Sequence, residues 1–445
     1  MPDLLLAATA APAADTAAGD TAWLLAASAL VLLMVPGLAF FYGGMVRAKS
    51  VLNMMMMVFG ALAVVMVVWV LVGYSVAFGD DLGGGLVGDP TQFAGFKGML
   101  EEVPGAPYPI TLFAAFQGLF AVVTVGLIAG AIADRTRFGT WLVFAGLWSV
   151  LVYAPVAHWA FDFSAGDHVG GWLANRLQAL DFAGGTAVEI NSGAAGLAAA
   201  LVLGRRVGFG REPMKPHNLT LVMVGAGLLW FGWFGFNSGS ALAADNLAGV
   251  VFINTLLAGC TGLLAWLGVE RFRDGHATSF GAASGAVAGL VAITPSCGAV
   301  TPIGAMVVGL LAGAICALAV GMKYTFGYDD SLDVVGVHLV GGLVGTIVIG
   351  LLASSSVTSV DGLLYGGGAG QLGKQLVAAG ATLAFSFTAT ALLVWILDKT
   401  MGFRIDEEHE VAGLDLVIHA ETAYDLHPTG GARPHFGPGT GSMHA

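Results

Sequence analysis

Eleven apolar runs, each about long enough to cross a bilayer, dominate this 445-residue sequence. A helical span takes roughly 20 mostly apolar residues, because backbone N–H and C=O groups in hydrocarbon must pair within their own segment. The runs fall near 22–44, 51–78, 109–133, 139–161, 184–203, 217–239, 247–268, 278–295, 301–321, 333–353 and 375–397. Charged residues make up only 10% of the chain, too few to cover a water-facing surface, for which about 25% is usual. The expected fold is therefore an all-α polytopic membrane protein. Its 67 glycines fall inside apolar runs, as expected of helices that approach closely through small residues.

Basic residues orient the spans, since Lys and Arg concentrate on the cytoplasmic side. With the N-terminus outside, all of the 17 Lys and Arg except Lys97, Arg176 and Lys374 fall inside. The expected topology is N-terminus out and C-terminus in. Residues 1–20 read as an extracytoplasmic tail or a weak signal segment, because no basic residue precedes the apolar stretch Leu4–Ala14. Residues 21–397 form the membrane domain, and 398–445 a polar, acidic cytoplasmic tail too short for a catalytic output domain.

Glycine spacing points to an internal repeat. Glu189 is followed by Gly193 and Gly196, and His338 by Gly342 and Gly345, at the same offsets. The two sets lie in spans five and ten. An odd offset, here five helices, reverses the direction, so inverted five-helix repeats are expected, spans 1–5 and 6–10, with an eleventh helix added.

Ionisable residues inside spans are costly, about 2.5–3.5 kcal/mol at mid-membrane on insertion scales, and so mark pathways or paired structural sites. Glu189 and His338 are the main candidates. A lone His is as readily a packing hydrogen bonder as a functional one, whereas an unpaired Glu needs a partner; the repeat would place the two together. Asp181 reads first as a helix cap, and Asp333 as a helix-end charge. Trp23, Trp148, Trp159 and Trp172 sit where interface anchors are expected. The cysteines Cys260, Cys297 and Cys316 lie in or beside apolar runs and suggest neither disulfides nor a metal site. No cofactor motif or nucleophile–base pair is visible, and a net charge of −12 argues against nucleic acid.

Six blocks carry a wider resemblance: PGLAFFYGGMVRAKSVLNMMM (36–56), FQGLFAVVTVGLIAGA (116–131), DFAGGTAVEINSG (181–193), WFGFNSGSA (233–241), DVVGVHLVGG (333–342) and GLDLVIHAETAY (413–424). In this order they resemble the ammonium transporter family (Amt/Mep/Rh). The resemblance implies a homotrimer in the cell membrane, each protomer with its own pore for ammonium or ammonia. It implies that Ser240 belongs to an outer recruitment site, that Phe120 and Phe236 are the stacked pair closing the outer vestibule, and that Asp181 supports that site. It further makes His338 the second of two pore histidines. Gly413, Asp415, His419 and Tyr424 match the cytoplasmic segment that coordinates subunits and receives P-II signalling proteins.

Two positions depart from that pattern. The first pore histidine is replaced by Glu189, as in a fungal subset of the family, and the recruitment-site tryptophan by Phe161, a weaker cation–π partner. The expected mechanism binds ammonium outside, strips its proton and passes ammonia through a dry lumen. Two versions stay open: a Glu189–His338 relay that carries the proton inward, or a permanently protonated Glu189 with only ammonia crossing. A sensor that binds ammonium without flux is the rival from another class.

Overall fold

The computed structural model describes residues 14–101 and 106–424. Most of the Leu4–Ala14 stretch, and the tail beyond residue 424, lie outside the described residues. Among the described residues, eleven helices are long and apolar enough to span a membrane: α1 (Ala18–Met45), α2 (Val51–Phe78), α3 (Ile110–Ala131), α4 (Phe138–Phe161), α5 (Gly185–Leu203), α6 (Leu219–Gly239), α7 (Asn246–Arg273), α8 (Ser279–Ser296), α9 (Pro302–Phe326), α10 (Val335–Leu352) and α11 (Gly370–Met401). Two short helices follow in the tail, α12 (Glu407–Ala412) and α13 (Leu414–His419).

Local sequence explains several helix starts. Asn218, Asp245 and Thr278 each accept a hydrogen bond from an amide three residues on, at 3.0, 2.9 and 2.8 Å, satisfying donors the helix itself leaves orphaned. Thr301 caps α9 in the same way, with Pro302 at the first helical position, where its missing N–H costs nothing.

The repeat read from the glycines is present as packing. A methyl on Gly193 of α5 would lie 2.6 Å from Leu339 Cα, and one on Gly342 of α10 would lie 3.1 Å from the Ile190 amide. Leu339 directly follows His338 and Ile190 directly follows Glu189, so the contacts are reciprocal. The second pair obeys the same exchange. Gly196 sits against Ala131 at the end of α3, and Gly345 against Ala292 of α8, five helices later. Glycine is required at these places because the backbones touch.

Some sequence expectations need adjusting. α11 extends beyond 375–397 at both ends; at one of them buried Gln375 bridges to the Leu180 amide and carbonyl (both 2.7 Å), anchoring the helix to the connection before α5. Trp148 is not an interface anchor: it is fully buried and donates to the Thr390 hydroxyl of α11 at 2.8 Å. Asp333 is a helix-end charge paired with Lys323 at 2.7 Å.

Candidate functional site

The openings of α5 and α10 are built alike, and each delivers one ionisable side chain to the protein's centre. Asp181, eight residues before Glu189, accepts from the amides of Gly184 (2.9 Å), Gly185 (2.5 Å) and Thr186 (2.7 Å), and from the Thr186 hydroxyl. Asp330, eight residues before His338, accepts from the amides of Val334 (3.1 Å) and Val335 (2.7 Å). Beyond each cap the first turn is π-helical, Gly185–Ile190 and Val335–Leu339. Such widened turns recur at functional sites because they re-aim side chains within a helix.

Glu189 and His338 meet: His338 Nδ1 lies 2.7 Å from Glu189 Oε2, with side chains 4% and 1% exposed. One hydrogen lies between them, carried either as Nδ1–H on the ring or as O–H on the acid. Both side chains line a small apolar cavity, with room for about one water-sized molecule, together with Met34, Leu38, Trp233 and Phe236. His338 also lines a second small cavity, of similar room, with Phe41, Tyr42, Ser284 and Asp333. The dyad thus borders two small spaces, the first apolar and the second partly polar through Ser284 and Asp333.

On the side of the dyad away from the tail lies a cluster of rings. Phe120 and Phe236 stack with centroids 3.9 Å apart and planes 16° apart. Phe161 stands edge-on to Phe120, 6.4 Å away at 86°. Ser240 ends α6, and its hydroxyl donates to the Phe236 carbonyl at 2.8 Å, leaving the oxygen's lone pairs free to accept. Phe116, fully buried and 4.9 Å from Phe120, belongs to the same cluster. Sequence reasoning missed it, although a residue one helical turn before Phe120 must share its face. Trp159 does not stand in for the absent tryptophan: it packs on Trp172 and Phe385 and donates to the Leu86 carbonyl.

The tail side is charged. Burial raises the Asp330 carboxyl to about 6, with the nearby Asp333 charge adding to the rise while Lys323 and the capped amides oppose it. Arg206 bonds Asp329 at 2.8 Å and Asp134 at 3.2 Å. Burial pushes the Asp329 carboxyl up, yet Arg206 and Arg135 outweigh it and hold it below its ordinary value. Into this network reaches fully buried Glu410 of α12, which accepts from the Val207 amide and Arg404.

The four tail residues singled out in the sequence gather against the same side. Gly413 takes φ +110°, a conformation that favours glycine. Asp415 caps α2, accepting from the amides of Leu52 (3.0 Å) and Asn53 (2.7 Å). His419 bonds the Asn53 side chain at 3.1 Å and sets its ring edge-on to Phe138. His217 Nδ1 donates to the Val46 carbonyl, so its Nε2 accepts from the Tyr424 hydroxyl at 2.9 Å.

Known proteins place this arrangement. Residues 22–424 match the profile of the Ammonium Transporter Family. The ammonium transporter of Mycobacterium tuberculosis (strain ATCC 25618 / H37Rv) is 55% identical, the match covering 92% of this chain and 90% of that protein. That of Bacillus subtilis (strain 168) is 47% identical over 91% and 98% of the two chains. Among solved structures, Candida albicans Mep2 superposes with a TM-score of 0.79 at 36% identity, covering 88% and 87%. A sensor Amt protein does so with a TM-score of 0.83 at 28% identity, covering 90% and 98%. A helical bundle with eleven candidate spans, an ionisable pair at its centre and relatives of this similarity lead to one assignment: the chain is a multi-pass membrane protein of the ammonium transporter family.

Proposed function

We propose that this transporter recruits ammonium at the Phe120–Phe236–Phe161–Ser240 mouth, removes its proton there, and conducts ammonia past Glu189 and His338. The observation that carries this reading is the hydrogen-bonded Glu189–His338 dyad beneath a stacked ring pair, with an apolar cavity on one side and a second small cavity against His338. Potassium matches ammonium in charge and closely in size, but it cannot shed its charge, so a dry constriction imposes the full desolvation cost on it. Ring faces and the free lone pairs of Ser240 favour the cation at the mouth. Asp181 orients the turn that bears Glu189, which makes it a positioning residue.

The dyad also supports a proton route. A carboxylate bonded to an imidazole passes a hydrogen along the 2.7 Å contact, and Glu189–His338 then carries the stripped proton inward. Each charge moved down an inside-negative potential gains about 2.3 kcal/mol per 100 mV, enough to drive accumulation. The N-terminus faces outward and the tail inward, across the cell membrane, and three protomers associate, each with its own pore. The ordered tail block with Gly413, Asp415, His419 and Tyr424 offers a P-II protein a preformed surface.

Current and uptake measured together in proteoliposomes test this. Current that scales with uptake in the wild type and disappears in Glu189→Gln is expected; unchanged current in that variant overturns the relay. Uptake without current leaves an ammonia channel with Glu189 as a neutral liner. The likeness to a sensor Amt protein keeps a sensing reading in view, and a folded protein with neither uptake nor current moves that reading to first place.

A further inference from the structure

Beside the aromatic mouth lies a cluster of titratable groups that the transport reading leaves unused. α2 leads into Asp80 and Asp81, and α4 into Asp162. A short turn, in which Ala165 and His168 exchange backbone hydrogen bonds, folds His168 back over these helix ends. Its Nδ1 lies 3.0 Å from Asp80 Oδ1, and its Nε2 lies 2.9 and 3.0 Å from the two oxygens of Asp162. Carboxylates accept, so both ring nitrogens must donate. A neutral imidazole has one N–H, and only the imidazolium satisfies both sides.

The energetics agree. The Asp162 hydrogen bond is the main cause that raises His168 to about 9, with burial opposing and Asp80 adding. Asp162 itself is buried, and burial outweighs the His168 bond to leave its carboxyl above the ordinary value. Its Oδ2 also lies 3.3 Å from His158 Nδ1, while His158 Nε2 faces Asp81 at 3.6 Å. Asp80 is largely exposed. Asp162 directly follows Phe161, the ring that stands edge-on to Phe120 at the mouth.

We infer that His168 is a positioning residue: protonated, it pins Asp162 and thereby holds Phe161 at the mouth, so the grip on ammonium weakens as the outside turns alkaline. This rests on the recruitment role proposed for Phe161. The sign follows from a raised histidine. Pinning is complete below the ordinary histidine range and is lost as the pH climbs through about 9. On the acid side it weakens again when Asp162 takes up a proton. Recruitment is therefore supported across the range in which the substrate is a cation.

Uptake kinetics in proteoliposomes, compared between variants at each outside pH, cancel the titration of ammonium itself. His168→Gln is expected to raise KM about three- to tenfold at neutral pH with kcat unchanged, the signature of lost binding. That ratio should shrink toward one above the His168 transition, where the wild type has lost its own proton. His168→Arg should hold KM low throughout, because a guanidinium keeps its charge. Asp80→Asn, at an exposed position, should move the transition to lower pH. Hydrogen exchange over residues 162–172 should quicken in His168→Gln at neutral pH, and in the wild type only above the transition. If Phe161→Ala raises KM but His168→Gln does not, His168 has no positioning role, whether or not exchange changes. If Phe161→Ala leaves KM unchanged, the recruitment role of Phe161 is what fails.

Discussion

Asp181 and Asp330 hold matched places ahead of α5 and α10, yet their surroundings differ. Asp181 is partly exposed beside the mouth and spends its carboxylate entirely on backbone amides and the Thr186 hydroxyl. Asp330 is buried and shares its surroundings with Lys323 and Asp333, which pair with each other at 2.7 Å. The same capping device thus serves a partly exposed setting ahead of α5 and a buried ionic cluster ahead of α10. The residue each cap delivers differs too, an acid from α5 and a base from α10.

The largest test of this comparison removes one half of the dyad. His338→Ala leaves Glu189 buried without its partner, which costs about 3–5 kcal/mol, while Glu189→Gln keeps a hydrogen bond and should cost far less. Denaturation of the detergent-solubilised protein measures the gap, and equal losses would mean that the two residues do not depend on each other. The glycines come next. Gly193→Ala drives a methyl onto the backbone of Leu339, and Gly342→Ala onto Glu189 Cβ at 2.7 Å. Each should lose about 1–3 kcal/mol, as overpacking usually does. Gly193→Ala should lose more, because its methyl would meet three Leu339 atoms within 2.6 Å, whereas the nearest atom to one on Gly342 is 2.7 Å away and the next 3.1 Å; the reverse order would break the reading of a rigid two-fold contact.

Smaller effects separate the caps. Asp181→Ala and Asp330→Ala should each destabilise by about 1–2 kcal/mol. The Asp330 cap should add a pH slope, since its folded value of about 6 exceeds that of an unfolded Asp. The folded state then holds the proton more tightly, so this residue's contribution to stability falls as the pH rises from the ordinary Asp value toward about 6. Asp330→Asn should flatten that part of the melting profile relative to the wild type. Ser240→Ala should be the mildest for folding, within about 0.5 kcal/mol, because its hydroxyl bonds only the carbonyl one turn earlier. Its effect belongs in KM for ammonium, and an unchanged KM removes Ser240 from the mouth's chemistry.

The spans were legible because bilayer thickness imposes a length on every apolar run, and α5 and α10 were legible as partners because close contact demands glycine at fixed offsets. Asp330 was not. Asp329, Asp330 and Asp333 crowd one stretch, and which of them caps α10 depends on a backbone path that includes Asp333 at φ +65°. Trp148 looked like an interface anchor because the pattern shows how far along a span a residue lies, not whether the side chain points to lipid or to α11. His168 and Asp80 were silent for another reason: each sits in a loop, 88 positions apart, and only the folded helix ends bring them to 3.0 Å.

The cap that Asp415 places on α2 has a consequence for how the protein is made. The first amides of α2 find their acceptor on a residue more than 360 positions later in the chain. The second helix therefore leaves the ribosome long before the group that completes it exists. Until the tail emerges and folds back, those donors have only water or headgroups to bond. A chain that stops short of Asp415 leaves the Leu52 and Asn53 amides without that acceptor.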